Sequence, residues 1–173
     1  MEVHLHPYRG KKSSYRLGRM LELGKTERLS FLFKLLHCTL VTQERLARTN
    51  PNQTSTCKLP GCLVQEDLKH ALIECPGNNG AGYDVLNAIK TFVPGLRAEE
   101  ALHLELRLDG DLELPVVFAM AVAWRTIWEL RFKKIRPQTY LVRAQLEARV
   151  SLLRECRHFA SAVDTLDEII SIL

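Results

Sequence analysis

The chain has 173 residues, 46% of them apolar and 25% charged, with a formal net charge of +4. That length suits one domain, or one domain with a small appendage, and that apolar share excludes a disordered polyelectrolyte. The longest apolar run, Leu114 to Trp124, contains Pro115 and falls well short of the roughly 20 residues needed to span a bilayer.

Charge is uneven along the chain. Residues 1–50 carry ten Lys/Arg against four Asp/Glu, net +6; residues 51–120 carry five against ten, net −5; residues 121–173 carry nine against six, net +3. Basic ends attract polyanions such as nucleic acid, while any single charge is as well explained by a solvated surface. The start is polar and basic, unlike a signal peptide, which predicts an intracellular protein, cytoplasmic or nuclear, with its thiols reduced and no membrane partner.

In chain order, residues 1–25 read as a basic arm interrupted by Pro7, Gly10 and Gly18, with Tyr8 and Tyr15 between its cations. A helix follows, capped by Thr26, with Leu29, Leu32, Phe33, Leu36 and Leu40 at a 3.6-residue period. A short helix from Thr42 or Gln43 ends before Asn50-Pro51, and residues 49–61 form a loop rich in Asn, Thr, Pro and Gly. Glu66 to Glu74 reads as a short helix with Glu66 and Asp67 facing its positive end, stopped by Pro76. After a turn at Gly77–Gly80, Tyr83 to Phe92 is amphipathic and ends at Pro94-Gly95.

In residues 96–112 Leu102, Leu104, Leu106 and Leu108 alternate with polar residues, a strand period without a partner strand. This segment is expected to be an irregular or short extended connection. Pro115 to about Ile135 predicts the longest helix, apolar on every face as far as Trp124 and therefore central. A further helix from Pro137 to about Phe159 shows the stripe Leu141, Ala144, Ala148 and Leu152 beside Leu146, Val150 and Leu153, and a last one covers about Ala162 to Ile170. The pattern predicts a mainly α, irregular helical domain with a small stapled loop–helix insertion. Its parts are a basic arm (1–25), helices with a metal-binding segment (26–95), and a helical part (96–173) packing on the same core.

The staple is legible in Cys57, Cys62, His70 and Cys75, ordered C-x4-C-x7-H-x4-C. Three thiolates and one imidazole complete a tetrahedral set for one zinc ion, and four protein ligands leave no open position for catalysis. Pro60-Gly61 can turn the first two thiolates towards one point. His70 and Cys75, five residues apart, lie about 140° around an ideal helix, so Pro76 must end the helix to let the Cys75 thiolate turn back. Cys38 and Cys156 lie on apolar-periodic helices and read as core. Asp109, Asp111 and Glu113 read as a solvated loop.

The run Arg28 to Arg48, including Thr39-Leu40-Val41-Thr42 and Arg45-Leu46-Ala47-Arg48, then the Cys57/Cys62 loop, then Glu66 to Pro76 resembles a known family. It is similar to the C-terminal CCHC zinc-binding domain of non-LTR (LINE-type) retrotransposon reverse transcriptases. The later Ala123 to Arg131, with Trp124 and Trp128, resembles that family's downstream tryptophan-bearing helix. Four residues between the first two cysteines, where two are commoner, are the departure. The resemblance implies a non-catalytic module that binds an RNA template or target DNA, with the polymerase lying upstream and no small-molecule substrate.

Phosphate contacts would come from Arg9, Lys11, Lys12, Arg16 and Arg19 in the arm, Arg45 and Arg48 near the metal loop, and Arg131, Lys133, Lys134 and Arg136. The alternative is a protein-interaction or scaffold module, in which zinc only holds the fold and the helices dock a polymerase body or another chain.

Overall fold

The longest helix is the one whose first half has no polar face. In a computed structural model, which describes residues 27–37, 39–104, 106 and 112–173, the chain is mainly α-helical. Its helices are α1 (Glu27–Leu36), α2 (Gln43–Thr49), α3 (Ala81–Lys90), α4 (Ala98–Leu102), α5 (Glu113–Phe132), α6 (Thr139–Arg154) and α7 (Ala160–Ile172). Helix α5 is the axis: Val116 to Met120, Ala123, Trp124 and Ile127 are buried around its circumference. Helices α6 and α7 pack on α5 and on each other, α3 leans on α5 and α6, and α1 covers another side of α5. One cluster of buried apolar side chains runs from Phe31 in α1 to Ile170 in α7. No described helix is long and apolar enough to cross a membrane.

The ends of these helices follow local chemistry. Thr42 caps α2, its hydroxyl accepting from the Arg45 N–H at 3.3 Å. Helix α1 stops at Leu36 rather than reaching Leu40, which is buried beyond the helix end after the Thr39 N–H bonds back to Lys34. The buried stripe of α6 is Val142, Leu146, Val150 and Leu153. Ala144, Ala148 and Leu152 face solvent, which corrects the expected stripe. Both stripes have helical spacing, and contact with α5 and α7 selects the one richer in branched apolar volume.

The segment 96–112 holds a helix that the alternating leucines concealed. Glu100 reaches back to the Arg97 N–H at 3.0 Å, as in a capping box, and opens α4. The Trp124 indole N–H donates to the Ala101 carbonyl at 3.1 Å, fixing α4 on α5. Leu102 and Leu104 are both buried, because a turn follows the helix and Leu104 adopts φ 54°. Cys156 is only half-buried, in the turn between α6 and α7, rather than in the core. The arm with Arg9, Lys11, Lys12, Arg16 and Arg19, together with Thr26, Cys38, Leu108, Asp109 and Asp111, lies outside the described residues.

Candidate metal centre

The loop that follows α2, residues 50–66, contains no helix, yet it is closed at its neck. Thr56 and Gln65 form an isolated antiparallel bridge, with Cys57 N–H donating to Val64 O at 2.9 Å and Glu66 N–H to Ser55 O at 2.8 Å. Inside the neck, Leu59-Pro60-Gly61-Cys62 is a tight turn: Cys62 N–H donates to Leu59 O at 3.1 Å, and Gly61 takes φ 82°. Pro at the second position and a positive-φ Gly at the third are what a type II turn requires. The turn brings Cys57 and Cys62 to one side of the loop.

His70 and Cys75 come from the next element. Asp67 starts it, its carboxylate accepting from the His70 N–H at 2.7 Å. Over His70–Glu74 the helix widens into a π turn, with the Cys75 N–H donating to His70 O at 2.9 Å. An i→i+5 bond carries residue 75 back over residue 70, so the two ligands converge where an ideal α-helix would separate them. Bypassed by this bond, the Ala71 carbonyl accepts instead from Asn78 Nδ2 at 2.9 Å. Helix α3 presses against the π turn at Gly82, where a Cβ would sit 2.2 Å from Leu72 O and 2.5 Å from Ile73 Cα.

Cys57, Cys62, His70 and Cys75 are all buried, and their ligand atoms lie within 4.8 Å of one another. Cys57 Sγ is 3.7 Å from Cys75 Sγ, and Cys62 Sγ is 3.2 Å from His70 Nε2. This arrangement is compatible with a single metal ion. Burial lowers the His70 pKa, and the nearby Arg131 cation lowers it further, so the imidazole is held neutral as a ligand must be. Burial, with a smaller push from the Cys75 hydrogen bond, raises the Cys57 thiol; the Leu59 backbone hydrogen bond and then the Arg131 hydrogen bond and charge offset this only in part.

Arg131 is the site residue that sequence reasoning misplaced. It does not lie on the basic surface: its side chain is 6% exposed. Its Nη2 donates to Glu66 Oε2 at 2.6 Å and to Cys57 Sγ at 3.2 Å, and its Nη1 donates to Asn78 Oδ1 at 2.9 Å. Burial opposes its charge, yet hydrogen bonds to Cys75 and Cys57 and the Glu66 charge hold the guanidinium above the ordinary arginine range. Glu66, expected in the first turn of its own helix, instead places its carboxylate at the start of α2, where Oε1 accepts from the Gln43 N–H at 3.1 Å. Its negative charge does face the positive end of a helix, but that helix is α2. The sequence signal was an arginine on the apolar-flanked end of α5, too far along the chain to pair by inspection.

The remaining basic candidates separate into two places. Lys133, Lys134 and Arg136 are exposed just beyond the end of α5, and Arg136 Nη2 donates to Pro60 O at 3.4 Å, so this cluster borders the Cys57–Cys62 loop. Arg45 and Arg48 are exposed on α2, with Arg48 paired to Glu44. No family model, curated protein or solved structure matches the chain.

Proposed function

We propose that Cys57, Cys62, His70 and Cys75 hold one structural Zn²⁺, and that the chain binds RNA or DNA beside it. This is the role implied by its resemblance to the C-terminal region of non-LTR retrotransposon reverse transcriptases. The convergence of the four buried ligands carries the reading. Tetrahedral zinc with Zn–S bonds of about 2.3 Å sets two sulfurs about 3.8 Å apart, and Cys57 and Cys75 stand 3.7 Å apart. Soft thiolates select zinc over magnesium or calcium. With four protein ligands the ion keeps no position for substrate, so its role is structural rather than catalytic, and the resemblance implies a polymerase lying upstream.

Phosphate contacts fall to Lys133, Lys134 and Arg136, with Arg45 and Arg48 on α2. Metal analysis of the purified chain should give one zinc per chain. Fluorescence anisotropy with a single-stranded RNA and a duplex DNA, repeated over a salt series, tests the binding. Each phosphate contact contributes roughly 0.7–0.9 to the log–log salt slope. Reversing Lys133, Lys134 and Arg136 to Glu should therefore reduce the slope by roughly 2–3. An unchanged slope removes the mechanism.

One observation favours the second reading, a scaffold module docking a polymerase body or another chain: Phe132 is 84% exposed at the end of α5. Partner capture that survives the charge reversal, with no nucleic-acid binding by the native chain, would select it.

A further inference from the structure

Beside the staple lies a groove of ≈ 300 Å³ whose apolar surface comes from Val41, Leu46, Leu59, Trp128 and Phe132. Its size is at the lower end of small-ligand sites, which run from about 300 to 1,000 Å³, and suits one flat ring system. Phe132 stands almost fully in solvent, where an aromatic ring gains nothing from the protein's own core. The rim is cationic: Lys58 and Lys134 line the groove, and Arg136 is tied to Pro60 next to Leu59. The one acid in the lining, Glu66, is already neutralised by Arg131. Gln43 also lines the groove, and its side-chain Oε1 is buried without a hydrogen-bond partner among the described residues.

We propose that this groove is a subsite for one unpaired nucleotide of a single strand, with its base stacked on Phe132 and its flanking phosphates on Lys58 and Lys134. The proposal rests on nucleic-acid binding by this face of the molecule and names the form of nucleic acid that it takes. Every base offers a π face to an aromatic ring, whatever its identity. Base edges carry hydrogen-bond donors, and the Gln43 Oε1 is an acceptor without a partner among the described residues. A duplex keeps its bases stacked inside and can use only the lysines. The cationic rim favours a polyanion over an apolar peptide of neutral or basic character.

The zinc-loaded chain carries its own probe. Of its two tryptophans, Trp124 is buried and bonded to Ala101 O, whereas Trp128 lines the groove. Oligo(U) or oligo(dT) of twelve nucleotides should quench the Trp128 emission. Phe132→Ala should weaken single-strand binding about 5- to 150-fold, the span expected for losing one base–aromatic stack, while duplex binding shifts less than about twofold. Phe132→Tyr should restore single-strand binding, and the salt slope of Phe132→Ala should match that of the native chain because no phosphate contact is lost.

The subsite is overturned if the native chain binds single strands but Phe132→Ala binds them equally well, or if that variant loses single strand and duplex alike. It is also overturned if an apolar peptide quenches Trp128 and the oligonucleotides do not. Failure of the native chain to bind either nucleic acid is a different result: it removes the proposed function itself.

Discussion

Arg131→Met is the most informative perturbation. Methionine roughly keeps the length and apolar stem of the side chain and removes the polar contacts to Glu66, Cys57 and Asn78 together. The Arg131 and Glu66 side chains are 6% and 9% exposed, so the pair is out of water on both sides. Breaking a buried pair by removing one partner leaves the other charge stranded, at a cost of about 3–5 kcal/mol. For a chain of this size that corresponds to a Tm lower by about 8–14 °C, taking roughly 2.1 cal/mol/K of unfolding entropy per residue.

A second effect falls on the metal. In the proposed zinc site, three thiolates and a neutral imidazole would make the complex a net anion, and Arg131 is the cation beside Cys57. Loss of such an outer hydrogen bond typically weakens metal binding about 10- to 100-fold. Thermal unfolding of the zinc-saturated chain and a chelator competition for zinc measure the two effects separately. Glu66→Gln combined with Arg131→Met should recover part of the lost Tm, because no bare carboxylate then remains. An Arg131→Met chain that melts within about 2 °C of the native one and holds zinc equally well would refute the network.

Other outcomes follow from the same contacts. Gly82→Ala, which in an open helix would gain about 1 kcal/mol, should instead destabilise by about 1–3 kcal/mol, because the new Cβ meets backbone of Leu72 and Ile73; a Tm at or above the native value counts against this packing. Asn78→Ala should cost about 1–3 kcal/mol by leaving the buried Ala71 carbonyl without its donor, and denaturant unfolding measures it. His70 has a depressed pKa, so the native state binds fewer protons than the unfolded chain: the stability it contributes is complete above an unfolded value of about 6.5 and is lost as pH falls through the folded value. Tm at fixed zinc should therefore drop between pH 7.5 and 5.5, and a flat profile would contradict the assignment. Chelation should melt the Cys57–Cys62 loop while leaving α5, α6 and α7 helical, since the cysteines and Leu59 form a small cluster separate from the main core, to which Leu72 and Ile73 belong. Complete loss of the far-UV helical signal on chelation would show that the core depends on the staple.

Which features were legible in the sequence depended on how local their causes are. Helix α5 was legible because an unbroken apolar run around the whole circumference has one stable place, the centre. Helix α2 was legible because Thr42 and Asn50 mark both its ends. The α6 stripe was not, because two apolar rows of equal period run along it and only contact with α5 and α7 chooses between them. The four candidate metal ligands lie within nineteen residues and share one chemistry. Arg131 is 74 residues from Cys57, and nothing in its local pattern distinguishes a guanidinium aimed inward from the lysines beside it that face water.

The spacing of the last two ligands, H-x4-C, makes structural sense only through the π turn. In an α-helix Cys75 would bond to Ala71, and its thiolate would point away from His70. Moving that bond to His70 O turns the thiolate inward but strands the Ala71 carbonyl. Asn78, placed by the 3₁₀ turn Pro76–Asn78, supplies the missing donor. Arg131 then holds Asn78 by its other side-chain atom and Cys57 by a second guanidinium nitrogen. One arginine from the core helix thus fixes both the widened turn and the first ligand loop, and through Glu66 it also sets the start of α2. Metal, loop and basic helix are coupled through that single side chain, so metal occupancy and the position of Arg45 and Arg48 should change together rather than independently.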